Sequence, residues 1–429
     1  MSRAIGTRII PQRCDTVSAT LPLDGSALMG RLDELAQASS DPAALTRLTL
    51  TPAHREAAKM VGGWMREAGM SVRIDRIGNV VGVYAGTSAD APTLLVGSHI
   101  DTVQNAGRFD GNLGVVLGIA AVADLARRGV RLPHAIEVIA FGDEEGLRFK
   151  TTLTGSRAVA GAFNPLALAD VDAEGVTRAQ ALADFGAPAG DVALEARDPA
   201  RILGYVEAHI EQGPVLEDRD LPLGVVTAIN GATRAEITVR GIAGHAGTLP
   251  MHMRHDPLVA AAEMILAIEA RARGETDLVA TVGTLSVPRG AVNVVPGEVR
   301  FSLDLRSPLD SERSAARADL ESTIKAIAKN RGVETSLRVT YDAPATPCDD
   351  KMQAGLAESV AHFGLPTTYL PSGAGHDALA FRGRWPVAML FVRCMGGVSH
   401  NAEEYASPQD IELAARVLTH FIENFGADS

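Results

Sequence analysis

Between Thr93 and Phe141 the chain runs from an apolar segment through a polar, glycine-rich loop and an apolar helix into a second apolar segment, an order that few architectures accommodate. The run TLLVG, Thr93–Gly97, has no alternation of polar residues, as a strand buried on both faces requires. A helical stretch from about Asn112 to Arg128 follows, and then a second such strand, Ala135–Phe141. Strand, helix, strand of this kind predicts an α/β fold with a central, mostly parallel sheet. Upstream, Pro52 to Gly69 has helical spacing, with Ala57, Met60, Val61, Trp64 and Met65 on one side and Gly69 as a stop. Strand-like runs at Ser71–Asp75 and Asn79–Ala85 come next.

The pattern changes near Leu221. Ala232–Arg240 and Val299–Leu305 alternate apolar and polar residues, as half-solvated strands of an antiparallel sheet do. Two amphipathic helices, roughly Asp256–Arg273 and Asp310–Asn330, complete a small α+β block. From Asp349 onward the α/β character returns, with a buried strand at Val387–Val392 and a last helix at Pro408–Phe425. The expected organisation is a discontinuous domain, 1–220 and 344–429, interrupted by a smaller domain, 221–343. A length of 429 residues accommodates this division.

Composition narrows the partners. A net charge of −12 argues against a phosphate-backbone binder, and 4% aromatic residues against stacking platforms for single-stranded nucleic acid. The three cysteines, Cys14, Cys348 and Cys394, are far apart and lack CxxC spacing, which predicts neither a disulfide framework nor a cysteine zinc site. No apolar run is long enough to span a membrane. The N-terminus, with Arg3, Arg8 and Arg13, lacks the apolar stretch of a secretory signal and reads as a short arm. The expected location is the cytoplasm.

Five polar islands fall at the ends of the expected buried strands: GSHIDTVQNAGRFDGNLG, with His99, Asp101 and Asp110; FGDEEG, with Asp143, Glu144 and Glu145; EAHIEQGPVLE, with Glu207, His209, Glu211 and Gln212; GHAGTLPMHMRHD, with His245, His252 and His255; and, near the C-terminus, SGAGHDA with His376 and SHNAEE with His400, Glu403 and Glu404. Singly, each has a plain alternative: a solvated histidine, an acidic helix N-terminus or a turn. Together they converge, because functional groups in open α/β sheets gather beyond the carboxyl ends of the strands. Mixed imidazole and carboxylate ligands suit Zn²⁺ or Mn²⁺ rather than Ca²⁺. Three histidines and two carboxylates are too many for one catalytic zinc and suit two ions sharing a carboxylate, with Glu144 spare as a proton acceptor.

The ordered set GSHIDTV, GRFDG, GDEEG, EAHIEQGP, GHAGTLPM, NVVPGEVRFSLDLRS, SGAGHDA and SHNAEE resembles the M20-type di-metal amidohydrolases over nearly the whole chain. More narrowly it looks like their hydantoinase/carbamoylase branch: N-carbamoyl-L-amino-acid hydrolase, allantoate amidohydrolase, ureidoglycolate amidohydrolase and β-ureidopropionase. The resemblance implies that Asp110 bridges two metal ions, with His99 and His209 completing one site and Glu145 and His400 the other. It implies Glu144 as the general base and Asp101 as a carboxylate orienting His99. His209 within HIEQG separates this branch from peptidase relatives, which usually carry a carboxylate there. Gln212, Asn293, Arg306, His376, Gly373 and Gly396–Gly397 are implied to contact substrate. The smaller domain is implied to be a ferredoxin-like lid that forms the homodimer interface, from which its residues can act in their own site or complete the partner's.

The expected substrate is a small anionic ureido acid, an N-carbamoyl-L-amino acid or allantoate. His245, delivered by the lid, would stabilise the charge developing on the carbonyl oxygen. Arg306 would hold the substrate carboxylate in its planar fork; its alternative is an ion pair with Asp304 or Asp310. An M20-type dipeptidase or aminoacylase is the competing activity. His252 and His255, at the start of a helix opened by Asp256–Pro257, read as structural or rim residues.

Overall fold

A computed structural model of the chain describes residues 23–426. The expected N-terminal arm, with Arg3, Arg8, Arg13 and Cys14, lies outside the described residues. The first strands are β1 (Ser71–Ile74), β2 (Val80–Tyr84), β3 (Thr93–His99), β4 (Ala135–Phe141), β5 (Ile202–Ile210) and β6 (Leu223–Ile229). Next come β7 (Gly231–Arg240), β8 (Gly244–His245), β9 (Val279–Thr281), β10 (Leu285–Ser286), β11 (Val294–Val295), β12 (Glu298–Ser307) and β13 (Glu334–Ala343). The chain closes with β14 (Thr346–Pro347), β15 (Tyr369–Ser372) and β16 (Val387–Val392).

Nine strands form one sheet in the order β1-β2-β4-β3-β5-β16-β6-β14, with β15 also paired to β6. Its centre, β4-β3-β5-β16, is parallel, and antiparallel pairs flank it on both sides. The absence of polar alternation in β3, β4 and β16 now has its cause, since each strand divides its side chains between two cores. Leu94, Val96, Ile136, Val138 and Leu390 face a cluster built with the helices Asn112–Arg127, Gly25–Ala36 and Pro408–Asn424. Leu95, Ile139, Phe141, Tyr205 and Phe391 face Phe381 and Trp385 on the other side. Each fully buried side chain of this size contributes about 1.5–3 kcal/mol before entropy is counted.

The second sheet, β10-β12-β7-β13 with β9 on β12, is antiparallel throughout. Two helices, Pro257–Arg273 and Asp310–Arg331, cover one face, packing Met264, Ile268, Leu320 and Ile324 on Ile237, Val239, Leu303 and Leu305. The alternating partners Arg234, Glu236, Ser302, Asp304 and Arg306 line the uncovered face. A separate two-stranded ribbon joins β8 to β11. The change expected near Leu221 falls later: β6 belongs to the large sheet, and the second sheet begins at Gly231. The reason is that β6 lies antiparallel to β16 and parallel to β15, partners far away in the chain. Among the described residues, no helix is long and apolar enough to cross a membrane.

Helix Asn112–Arg127 lies close against the strands because Gly114 has no side chain: a Cβ there would stand 2.2 Å from the Ala208 carbonyl oxygen and 2.8 Å from Ser98 Cβ. Overpacking of this kind costs about 1–3 kcal/mol. Gly114→Ala is therefore expected to lower the chemical denaturation midpoint, and an unchanged midpoint would mean that the helix shifts freely.

Candidate metal centre

The carboxyl ends of the four parallel strands meet in one crevice. His99 is the last residue of β3, His209 stands one residue before the end of β5, and Glu144 and Glu145 lie just beyond β4. His400 comes from the loop after β16, and Asp110 from the loop that opens helix Asn112–Arg127. The loop between β3 and the helix turns at Gly111, whose φ is 65° and where a Cβ would stand 2.4 Å from the His99 ring. Only glycine fits both the left-handed backbone and the close approach.

Asp110, 3% exposed, is the meeting point. Its Oδ1 lies 3.1 Å from His209 Nε2 and 3.5 Å from His99 Nε2, and its Oδ2 lies 3.2 Å from His400 Nε2. Glu145 Oε2 is 3.8 Å from that same nitrogen, while Glu145 Oε1 is buried without a hydrogen-bond partner. Two ligand sets therefore share one carboxylate: His99, Asp110 and His209; and Asp110, Glu145 and His400. Adjacent ligands around an ion with bonds of about 2.0–2.1 Å stand about 3.3 Å apart in a tetrahedron, so this donor set fits divalent cations. The tautomers fit as well. His99 Nδ1 donates to the Asp101 carbonyl and His209 Nδ1 to the Ile210 carbonyl, each at 2.9 Å, so both Nε2 atoms face Asp110, where that of His209 accepts the Gly111 N–H at 3.2 Å.

Opposed charges crowd the crevice. Burial pushes the Glu144 carboxyl well above its ordinary value, and the neighbouring Glu145, Asp377 and Asp101 add to the rise. Burial lifts Glu145 to about 7. Burial disfavours charge on Asp110 too, but hydrogen bonds from His209, His400 and His99 outweigh it and hold the group well below the carboxylate range. His99 is the reverse case: burial opposes its charge, and Asp110, Glu144 and Asp101 together raise it. Protons and divalent cations therefore compete for the same positions.

The supporting residues differ in part from expectation. Asp101 orients His99 through its peptide carbonyl, with its carboxylate 3.8 Å from the ring. That carboxylate instead accepts the backbone N–H groups of Glu144 and Glu145, at 3.2 and 3.3 Å. Gln212, at φ 56°, donates Nε2 to Asp110 Oδ2 and to Ser399 Oγ, both at 3.0 Å. His376 is 1% exposed, bonded through Nε2 to Ser372 Oγ at 2.7 Å and packed edge-on against His209. Burial and His209 hold it well below the ordinary imidazole value. It stands buried beside a ligand, in a third group, with Glu207 and His209, whose ligand atoms lie close together.

Among the described residues, the remaining expected contacts make no hydrogen bond or ion pair with the ligand sets. Arg306 makes the ion pair with Asp304 anticipated as its alternative, through Nε at 2.7 Å, and it also reaches the Gly373 carbonyl at 2.7 Å. His245 is exposed on β8, where its Nδ1 accepts from Gly247 N–H. The exposed Asn293 accepts from Ala246 N–H through its carbonyl. Among the described residues, no hydrogen bond or ion pair links either to Asp110. His252 is in a short turn at Met251–Met253, and His255 precedes helix Pro257–Arg273 with Nδ1 buried and unpartnered. Gly396 and Gly397 have φ of 63° and 65°, and Gly396 N–H donates to Glu217.

Several supporting groups carry no recognisable pattern in the sequence. Glu404, 2% exposed, accepts the N–H groups of Phe109 and Asp110 at 2.9 and 3.1 Å and the Ser399 hydroxyl at 3.2 Å. Arg47, wholly buried, donates to the carbonyls of Leu35, Ala38 and Ile100 and to Asn112 Oδ1, bracing the same loop from behind. Glu207 accepts from Ser98 Oγ beneath His209. Glu404 is visible as an acid in SHNAEE, four residues after a ligand, but nothing in that spacing indicates which backbone it holds.

Such a crevice on such a sheet is a candidate metal centre of a hydrolase, and the chain belongs to peptidase family M20/M25/M40, whose sequence profile matches residues 95–424. Its relatives are more particular than that class. The chain is 40% identical over 401 residues to N-carbamoyl-L-amino acid amidohydrolase of Geobacillus stearothermophilus, covering 93% of this chain and 98% of the relative. It is 40% identical over 430 residues to allantoate deiminase 2 of Glycine max, covering 92% and 88%. A solved amidase of the hydantoinase/carbamoylase family from Burkholderia multivorans superposes with a TM-score of 0.89 at 35% identity, over 94% of this chain and 98% of that one.

Glu404→Ala would leave two buried N–H groups unpaired beside Asp110, at about 1–3 kcal/mol each. The expected result is a loss of divalent-metal affinity of about 10–100-fold in chelator competition. Unchanged affinity would confine Glu404 to the fold.

Proposed function

We propose that this protein hydrolyses the ureido C–N bond of N-carbamoyl-L-amino acids or of allantoate, releasing ammonia, carbon dioxide and the amino compound. The observation that carries the reading is the pair of ligand sets joined at Asp110, with Glu144 adjacent in the chain to one ligand and favouring positive charge on another, His99. The relatives' names supply the bond type, because both act on ureido acids in closely similar chains.

His99, Asp110 and His209 would hold one cation and Asp110, Glu145 and His400 the other, as Zn²⁺ or Mn²⁺. When bound, the cations supply Lewis acidity, polarising the carbonyl oxygen and easing ionisation of a water molecule. Glu144 takes the proton from the attacking water and returns it to the departing nitrogen. Its burial helps it hold that proton between the two transfers. Asp101 fixes the turn from which Glu144 projects, by accepting two successive N–H groups. Arg306 holds the substrate carboxylate beside Gly373, and the backbone at Gly396–Gly397 contributes further substrate contacts.

We assign the segment from Gly231 to Ala343, built around the second sheet, to a lid and dimerisation domain. Exposed Ile242, Met251, Met253 and Leu266 on that part of the chain support a homodimer. His245 and Asn293, both exposed and without a hydrogen bond to Asp110 among the described residues, then reach the partner's centre, where His245 donates to the developing oxyanion. The cytoplasm is the assigned compartment, consistent with Cys348 and Cys394 being free and buried.

The test is ammonia release from N-carbamoyl-L-amino acids, allantoate and ureidoglycolate after Zn²⁺ or Mn²⁺ is returned to apo-protein, beside amine release from dipeptides. Turnover of the ureido acids is expected, and turnover of dipeptides alone would transfer the reading to a peptidase. Glu144→Gln should retain its metal content while losing at least about 10²–10⁴-fold in rate. Undiminished activity would remove Glu144 from the proton transfers.

A further inference from the structure

On the uncovered face of the second sheet, an open groove of about 850 Å³ runs from Val279 and Ser286 to Gly373. Three charged side chains line up at its inner end. Asp304 on β12 stands opposite Arg234 on β7 in register, and Arg306 follows two residues along the same strand. Residues two apart on a strand share a face, so the pleat alone sets the row Arg234, Asp304, Arg306.

The hydrogen bonds are specific. Asp304 Oδ1 accepts Arg306 Nε–H at 2.7 Å, and Oδ2 accepts from Arg306 Nη2 at 3.0 Å. Arg234 Nε–H donates to the same Oδ2 at 3.0 Å. Arg306 Nη1 donates across to the Gly373 carbonyl at 2.7 Å. A guanidinium has five N–H donors, and these contacts leave one on each terminal nitrogen. That is the number a bidentate carboxylate uses. Asp304 has taken the side of the fork, and two N–H groups, one on Nη1 and one on Nη2, are left without a partner among the described residues.

We infer that Asp304 is a positioning residue for anion recognition: it clamps the side of Arg306, with Arg234 as counterweight, so that the end of the fork faces the substrate carboxylate. The inference rests on the reading of Arg306 given under the proposed function. It excludes the opposite view of Asp304 as a competitor that substrate must displace. An aspartate gripped by two arginines has no reason to leave, and both partners hold it well ionised against the cost of its partial burial.

Two effects of opposite sign compete when Asp304 is neutralised. A negative charge about 6 Å from the bound carboxylate weakens anion binding by a factor of about 3 in well-solvated surroundings, so its removal should tighten binding. A released arginine must be ordered again by each substrate, at a factor of up to about 10–30. Ordering outweighs repulsion. The positioning role therefore predicts weaker binding from a change that increases local positive charge.

The experiment compares an N-carbamoyl-L-amino acid with its carboxamide, which keeps the ureido group and lacks the anion. In the metal-loaded protein, Asp304→Asn should raise KM for the acid about three- to tenfold with kcat nearly unchanged, and leave KM for the amide unaltered. Asp304→Glu, which restores the charge on a longer arm, should recover part of the loss. A lowered KM for the acid, or equal changes for acid and amide, overturns the inference. Arg306→Met separates the two levels of argument. If it abolishes the preference for the acid while Asp304→Asn preserves it, only the clamp fails. If the wild-type protein releases ammonia from neither compound, or Arg306→Met keeps the full preference, the reading of Arg306 falls, and the clamp with it.

Discussion

One carboxylate with three imidazoles drawn to it organises the centre. Asp110 meets His209, His99 and His400 through its two oxygens, and it is the carboxylate common to both ligand sets. Its position is not set by those contacts alone. Glu404, from near the C-terminus, grips the backbone at Phe109 and Asp110, while Arg47, from near the start of the described chain, braces Ile100 and Asn112. Both braces are charged and almost wholly buried. Burial of charge is costly unless every polar atom is paired, and here the partners are main-chain groups at Leu35, Ala38, Ile100, Phe109 and Asp110 together with the side chains of Asn112 and Ser399.

The same loops hold uncommon backbone conformations. Asn105, Asp143, Gln212 and His400 are non-glycine residues at positive φ, and each lies in or beside a ligand-bearing segment. Asp143 shows how such a conformation persists. Its carbonyl accepts from Leu153 N–H, and its carboxylate is gripped by Thr154 and by Arg178, itself 1% exposed. The turn so held sends Glu144 and Glu145, neighbours in sequence, into one crevice. Strain of this kind costs of order 1–3 kcal/mol and is retained where the surroundings over-determine it.

Much of this is legible in the sequence, and the limits have a physical pattern. β4 matches its expected span, β3 extends two residues beyond it to His99, and helix Asn112–Arg127 ends one residue early. Helix Pro257–Arg273 follows its N-cap Asp256 as expected. These elements are long, uniformly apolar or cleanly capped. The five expected ligands stand together in two sets because strand ends and short motifs fix them locally. By contrast, the sheet membership of β6 depends on distant partners, and no local pattern encodes it. Arg47 and Glu404 carry no sequence signal for a related reason. A single buried charge has no periodicity, and its meaning lies in the backbone it reaches. Asp101, Gln212 and His376 belong to the expected set of residues, but the particular hydrogen bonds they make to ligands and loops have no counterpart in the sequence pattern.

The pairing of β5 with β16 has a consequence for how the molecule is assembled. These strands lie side by side, with Phe391 opposite His209, yet the entire second sheet intervenes between them in the chain. Contacts so remote in sequence form slowly, because chain entropy is lost before they stabilise anything. During synthesis, His99, Asp110, Glu145 and His209 all emerge well before the segment carrying His400. A growing chain therefore exposes a half-built acidic crevice until the strand and loop around His400 arrive, and the ligand set of Asp110, Glu145 and His400 is completed only late in biogenesis.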